Sequence, residues 1–201
     1  MAKANWIKTN PSQGSGNATV NVSSTSEHTG RKARTTTLTW KAANVQDVVR
    51  NVLQAGKPEY VDIADAASSD KAGKVVTISG VSNSAKLTFS FGTGNLTGLS
   101  LPSNYMANSV NTANGAAIVG DPGASAEYGF SITITVPAND GVDALTRQII
   151  VEDEAGNRDV CLLTLAAGDA YITVAPGDIE LDYLGTPVAV VVESNTTWTV
   201  E

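Results

Sequence analysis

The sequence predicts an all-β protein with two β-sandwich units, and three observations support this prediction. Apolar residues make up 42% of the chain, enough for a packed core, whereas charged residues make up only 16%. Short apolar runs such as residues 131–136 alternate with polar residues at a period of two, which is typical of half-buried strands. Sequence landmarks also recur after 112 residues (185 − 73), about the size of one small domain.

The repeat divides the chain into three parts. Its landmarks are Gly73 and Gly185, Ser82-Asn83 and Ser194-Asn195, and Ala55-Gly56 and Ala167-Gly168. They predict one complete sandwich over residues 58–168, which we call the middle unit. Residues 1–57, the N-terminal half, resemble the back part of that unit. Residues 169–201, the C-terminal segment, resemble its front part.

The C-terminal segment ends in two predicted strands. Val188, Val190 and Val192 alternate with their neighbours as a strand with one buried face does, and residues 194–196 supply turn chemistry. Trp198 and Val200 begin a second strand. A strand pair this short is marginal alone, so it must find partners.

The two incomplete parts are expected to form one composite sandwich. Each has what the other lacks, so residues 169–201 are completed by residues 1–57 of the same chain or of a neighbouring chain. Exchange between chains is favoured, because it gives a dimer, a ring or a fibre. The predicted composite interface consists of Trp6, Val20, Val22, Leu38, Trp40, Val188, Val190, Trp198 and Val200.

Two stretches are less regular. Apolar residues between 45 and 53 have helical spacing, but the β-rich character of the corresponding residues 160–165 favours a strand over residues 48 to 54. Residues 92–121 are rich in Gly, Asn and Ser and predict a long surface loop with at most one short strand.

Catalytic and metal-binding patterns are scarce, so we expect neither an enzyme nor a cofactor. His28 is the only histidine and lies in a polar turn, and Cys161 lies in an apolar strand pattern typical of buried packing. The acidic groups at residues 152–159 and 62–70 lack the spaced oxygen ligands of an EF-hand and are interpreted as solvated turns rather than calcium sites. The net charge of −7 disfavours nucleic acid, and the basic residues 31–34 are interpreted as a solvated edge.

Aromatic side chains offer one possible binding chemistry. Trp6, Trp40 and Tyr105 are candidates for stacking on sugar rings, with Tyr105 in the long loop as the best exposed one. Trp6 and Trp198 fall at strand positions, where packing in a core is the competing interpretation.

Joined end to beginning, the chain resembles the BACON domain, an immunoglobulin-like β-sandwich family of Bacteroidota surface proteins and of the phages that infect them. The matching residues are Ser194-Asn195, Trp198, Val200, Trp6-Ile7, Pro11, Gly14, Gly16, Asn17, Arg34, Gln54 and Gly56. In the middle unit, Leu87 and Ala166 stand where the family has Trp and Gln. The resemblance implies two immunoglobulin-like sandwiches, one complete and one composite.

The resemblance and the start of the chain together suggest a role. The beginning MAKANW has no hydrophobic segment for secretion or membrane insertion, which favours a phage structural protein assembled in the host cytoplasm. The leading expectation is a virion component of capsid auxiliary, decoration or head-fibre type, which interlocks with copies of itself and with neighbouring virion proteins. The alternative is a carbohydrate- or mucin-binding module at a bacterial cell surface.

Overall fold

The computed structural model describes residues 3–201, which form strands joined by turns and one 3-10 turn at Pro122–Ala124. The predicted all-β class is confirmed. We number the strands β1 to β15 in chain order.

The middle unit contains nine strands arranged as two sheets. They are β5 (Val61–Ile63), β6 (Ala66–Ser69), β7 (Val75–Ser82), β8 (Leu87–Gly94), β9 (Asn104–Ala107), β10 (Val110–Ala113), β11 (Tyr128–Thr135), β12 (Leu145–Asp153) and β13 (Arg158–Leu165). One sheet has the order β10-β9-β11-β7-β5, and the other has the order β6-β13-β12-β8. All neighbours are antiparallel except β6 and β13, which are parallel.

Both sheets contribute one face to a shared core. In β11 every second residue from Tyr128 to Ile134 is buried, and in β13 the buried residues are Cys161, Leu163 and Leu165. This period of two follows from the pleat, which turns successive side chains to opposite faces of a sheet. The arrangement is consistent with a β-sandwich.

Residues 92–121 do not form the predicted surface loop. Part of this stretch forms the hairpin β9–β10, in which Asn108 and Ser109 adopt positive φ at the turn. Ile118 is buried beyond it, and the side chain of Asn114 bonds the backbone of Phe89 as a neighbouring strand would (Nδ2 donates to O at 3.0 Å). The loop expectation was wrong because the apolar residues of 92–121 are spread among Gly and Asn without a clear period. Their burial is visible only in the packed structure.

The N-terminal half forms two separate hairpins. The first pairs β1 (Ile7–Asn10) with β2 (Asn21–Ser24), and the second pairs β3 (Arg34–Trp40) with β4 (Val48–Gln54). The strand predicted over residues 48 to 54 is therefore confirmed, and the helical spacing there is not used. Ile7 and Leu38 are the buried apolar residues of this half.

The C-terminal segment forms one hairpin, β14 (Ile172–Ala175) with β15 (Val191–Ser194). The strand predicted from Val188 begins only at Val191, and no strand forms around Trp198 in the described chain. Residues 169–190 and 195–201 contain no buried side chain, so the expected buried face is absent here. A strand is stabilised by hydrogen bonds to a neighbouring strand. In residues 3–201 this segment forms such bonds only within its own hairpin.

The structure repeats the strand registers of the middle unit in the outer parts. Ile172 pairs with Ser194 as Val61 pairs with Ser82, so β14–β15 corresponds to β5–β7. Likewise Arg34↔Gln54 corresponds to Leu145↔Leu165, so β3–β4 corresponds to β12–β13 and Gln54 matches Leu165, one residue before the Ala166 with which the sequence repeat aligns it. The two outer parts thus adopt local structures of the same type as the middle unit.

The two outer parts do not pair with each other within the chain. In residues 3–201, β14 and β15 pair only with one another, as do β1 with β2 and β3 with β4. The same-chain version of the composite sandwich is therefore not formed in this structure, and the exchange version stays a prediction.

Candidate functional site

A cleft lies between the two hairpins of the N-terminal half. We call it the N-terminal cleft, and it has a volume of about 710 Å³. Its lining includes Pro11, Gln13, Val20, Leu38, Trp40 and Lys41. An opening of this size beside apolar strand residues indicates a place where another molecule or chain segment packs.

The cleft is open because no other sheet pairs with or covers these two hairpins in residues 3–201. All four residues of β2 are exposed, and Val48 and Val49 at the start of β4 are also exposed. A hairpin in a sandwich normally turns one face onto a second sheet. The cleft is therefore an uncovered face of two hairpins.

The predicted interface residues lie in the N-terminal half or on the C-terminal segment. Leu38 is buried, whereas Trp40 at the other end of β3 leaves 40% of its surface exposed. Trp198 is 49% exposed. The remaining exposed members of the predicted composite interface are Val22, Val188, Val190 and Val200, while Val20 is half-buried.

The three candidate sugar-stacking residues are not brought together. Trp6 is half-buried, with the guanidinium carbon of Arg34 lying 4.6 Å from its ring centroid. Trp40 lines the cleft. Tyr105 is only 3% exposed and packs 5.0 Å from the ring of Phe89, so it has no surface that a sugar could reach. Its selection as the best exposed aromatic was wrong, because β9 turns it into the core.

The junction between the N-terminal half and the middle unit is organised by Asn83, which is fully buried. Its side-chain oxygen accepts a hydrogen bond from the backbone nitrogen of Tyr60 at 3.0 Å. Its side-chain nitrogen lies 3.1–3.3 Å from the carbonyl oxygens of Thr29, Lys57 and Pro58, to which it donates. One fully buried amide thus ties three chain segments together through its hydrogen bonds to their backbones.

Arg31 forms a second link across this junction. Its guanidinium makes a bidentate contact with Asp121, with nitrogen-to-oxygen distances of 2.5 and 2.6 Å. The hydrogen bond from Arg31 lowers the pKa of the Asp121 carboxyl below its ordinary value. Backbone bonds from Arg31 to Gly123 and from Lys32 to Ala124 continue the link. The interpretation of residues 31–34 as a solvated edge was therefore wrong for Arg31.

The backbones at this junction approach so closely that side chains have no room. A Cβ at Gly30 would lie 2.3 Å from the carbonyl carbon of Ser125, and one at Gly123 would lie 2.0 Å from the carbonyl oxygen of Asn83. Such approach is possible only for glycine. The backbones of the N-terminal half and the middle unit are thus in direct contact at this junction.

The junction at the other end of the middle unit repeats the same design. Asn195 accepts a hydrogen bond from the backbone nitrogen of Tyr171 at 3.0 Å and donates to the carbonyl oxygens of Asp140 and Asp169 at 2.8 Å. Ser194 donates to the carbonyl oxygen of Tyr171. The Ser-Asn repeat in the sequence was the signal for these residues, although their role as junction clamps was not predicted.

We expect Asp121→Asn to lower the free energy of unfolding at pH 7 by about 1 kcal/mol, the upper end for partly exposed ion pairs. Because the folded chain depresses the pKa of Asp121 below 3.8, this stabilisation is complete above that pH and is lost as the pH falls through the lower folded value. Urea unfolding from pH 7 downwards measures the difference. The exposed Asp178→Asn is the control, and a deficit in Asp121→Asn that persists undiminished at about pH 2 would contradict the assignment.

Two acidic residues of the middle unit, Asp153 and Asp159, accept hydrogen bonds that fix the backbone around them. Both carboxylate oxygens of Asp153 accept hydrogen bonds from Asn157, at 2.8 and 2.7 Å. Asp159 accepts from the backbone nitrogen of Ile63 at 2.7 Å. Within residues 3–201 no three His, Cys, Asp or Glu side chains are arranged to hold a metal ion. Asp153 is buried, which corrects its interpretation as part of a solvated turn.

Calcium and chelators are expected to leave the melting temperature unchanged, because the oxygens of Asp153 and Asp159 already accept protein hydrogen bonds. Differential scanning fluorimetry with EDTA and with millimolar calcium measures this. A rise in Tm with calcium that disappears in Asp159→Asn would instead show a metal site in this turn.

His28 and Cys161 are both buried. The ring nitrogen Nε2 of His28 lies 2.6 Å from the carbonyl oxygen of Lys32, so the histidine holds the loop at the first junction and is not the exposed turn residue expected. Cys161 packs in the core as expected, and burial raises the pKa of its thiol.

No helix among residues 3–201 has the length and apolar character needed to cross a bilayer. No protein-family model matches the chain, and no curated protein matches it. The functional assignment therefore depends on the cleft and on the two junctions.

Proposed function

We propose that the chain is a structural component of a bacteriophage virion, of capsid auxiliary, decoration or head-fibre type, built from BACON-like domains that interlock with neighbouring subunits. The observation that carries the proposal is the N-terminal cleft, an open face of two hairpins that are joined to the middle unit by side-chain hydrogen bonds and an ion pair. A subunit with such a face is suited to taking part of its fold from a neighbour.

The two junctions support a structural role. Each is closed by an asparagine clamp, and the first also has a bidentate ion pair and backbone contacts that only glycine permits. Flexible tethers between domains have few such contacts. Fixed junctions hold the two ends of a subunit in one orientation, so that each subunit sets the position of the next one in an assembly.

Purified particles test this proposal. We expect mass spectrometry of gradient-purified phage to detect the chain, and antibody labelling in electron microscopy to place it on the head or its fibres. Capsid and portal genes beside its gene would agree with this result. Absence from the particles, together with labelling of the bacterial surface, would overturn the proposal.

Trp40 supports a second candidate function, the binding of carbohydrate or mucin glycans. Its ring is partly exposed in a cleft that also contains polar side chains such as Gln13 and Thr37, the mixture that sugar sites use. A glycan array tests this function. Binding that is lost in a folded Trp40→Ala variant would favour it, and the virion proposal expects no specific glycan signal.

A further inference from the structure

The middle unit shows which strands the N-terminal half lacks. In the middle unit, β12 pairs with β8, and β11 pairs with β7 along eight residues from Tyr128↔Ser82 to Thr135↔Val75. In the N-terminal half, β3 corresponds to β12, and the register puts Trp40 where the middle unit has the fully buried Val151. Trp40 is therefore at a core position that the described chain leaves uncovered.

The C-terminal segment contains the strands that are missing. The hairpin β14–β15 has the register of β5–β7, and in residues 3–201 the other edge of β15 has no partner strand. In the middle unit that edge of β7 carries β11. The exposed apolar residues of the segment include Val188, Val190, Val191 and Trp198.

The two parts also carry opposite charges. Residues 1–57 contain eight Lys or Arg and two Asp or Glu, a formal net charge of +6. Residues 169–201 contain no Lys or Arg and six Asp or Glu, a formal net charge of −6. Such complementarity steers association and disfavours contacts between two copies of the same part.

A copy's own C-terminal segment is held away from its own cleft. Asn83 clamps the N-terminal half next to the Tyr128 end of the β7–β11 ladder, while Asn195 clamps the C-terminal segment to Asp140, beyond the Thr135 end. Seven residue steps separate the two ends of this ladder, which is about 24 Å at the usual rise of an antiparallel strand. The segment therefore projects from the opposite end of the middle unit.

We propose that the N-terminal cleft receives the C-terminal segment of a second copy of this chain, which completes the sandwich by strand addition. This inference rests on the interlocking role proposed above and names its partner and register. When the 112-residue repeat is applied to the β7–β11 pairing, residues 188–194 lie along residues 16–22, with Val190 opposite Val20, which lines the cleft. Residues 198–200 lie along β3, with Val200 opposite Trp40.

The contact is heterologous, because it joins the back part of one copy to the front part of the next. Such a contact repeats in one direction and produces a growing chain of subunits, or a ring if the rotation closes. Each composite sandwich is then flanked by one Asn83 clamp and one Asn195 clamp, as the two ends of the middle unit are.

Disulfide trapping between two differently tagged full-length variants tests the register. Val20→Cys and Val190→Cys each add one thiol, at a half-buried and an exposed position respectively, and the native Cys161 is fully buried and does not compete. On mixing and oxidation with diamide, we expect a disulfide-linked heterodimer at roughly tenfold higher yield than from mixing Val190→Cys with Thr97→Cys, an exposed site on the middle unit. Equal yields from the two mixtures would overturn the proposed register.

The unmodified chain provides a second measurement that does not depend on the variants folding as expected. Light scattering should show a mass that rises with protein concentration and falls as NaCl screens the opposite charges. Deletion of residues 185–201 should leave a monomer whose middle unit still unfolds cooperatively. A monomer of the full chain at every concentration, or a Val20→Cys/Val190→Cys double variant that closes only on itself, would overturn the second copy as the partner.

The two proposals can fail separately. If particles contain the chain but the Val20→Cys and Val190→Cys variants do not cross-link, strand addition is wrong and the virion role stands. If the variants cross-link but particles lack the chain, self-assembly stands and the virion role is wrong.

Discussion

Leu163→Ala is expected to lower the free energy of unfolding of the middle unit by about 3 to 4 kcal/mol, the cost of removing a large aliphatic side chain from a close-packed core. Leu163 is completely buried in β13, between the two sheets. Urea unfolding followed by circular dichroism measures the loss. Tryptophan fluorescence is not suitable here, because all three tryptophans lie outside the middle unit.

The neighbouring residue provides the control. Leu162 on the same strand points to the opposite face and is 43% exposed, so Leu162→Ala should change the stability by no more than about 0.5 kcal/mol. Similar losses in both variants would mean that the middle unit does not have the alternating sandwich packing described above.

Asn83→Ala is expected to lower the free energy of unfolding by about 3 kcal/mol, because truncation removes four hydrogen bonds made by a fully buried side chain. The loss should be concentrated at the junction, so hydrogen exchange should speed up at residues 28–32 and 57–60 more than in β11–β13. The measurement is hydrogen exchange by mass spectrometry, together with Tm.

Asn195→Ala is the matched comparison for this clamp. Asn195 makes three bonds of the same kind but is only half-buried, so water can replace part of what is lost and the cost should be about 1 kcal/mol. If Asn83→Ala left exchange at the first junction unchanged, the N-terminal half would be held by the Arg31 contacts instead.

The assembled state changes what a tryptophan truncation should do. In the isolated chain Trp198 is about half exposed, so Trp198→Ala should cost much less than a core truncation, contrary to its interpretation as a core residue. If a second copy buries the segment, the same variant should weaken assembly strongly. The different effects on monomer stability and on assembly separate the two roles.

The sequence by itself determined the elements whose pattern is local. Alternation at a period of two predicted the strand at residues 131–136, and the repeat correctly indicated that β4 is a strand despite its helical spacing. The Ser-Asn landmark marked both junction clamps before their contacts were known. These features could be predicted because they depend on residues close in the chain or on comparison of two copies within it.

Only the tertiary structure decided which faces are covered. Tyr105 and His28 are buried because distant segments pack on them, and Arg31 bonds Asp121 although 90 residues separate them. Conversely, Trp40 and Trp198 have the sequence signature of core residues but remain partly exposed, because the strands that would cover them are not beside them in the described chain. Burial depends on the sheet that packs against a strand. The sequence pattern of the strand predicts which of its faces is apolar, but not which segment packs on that face.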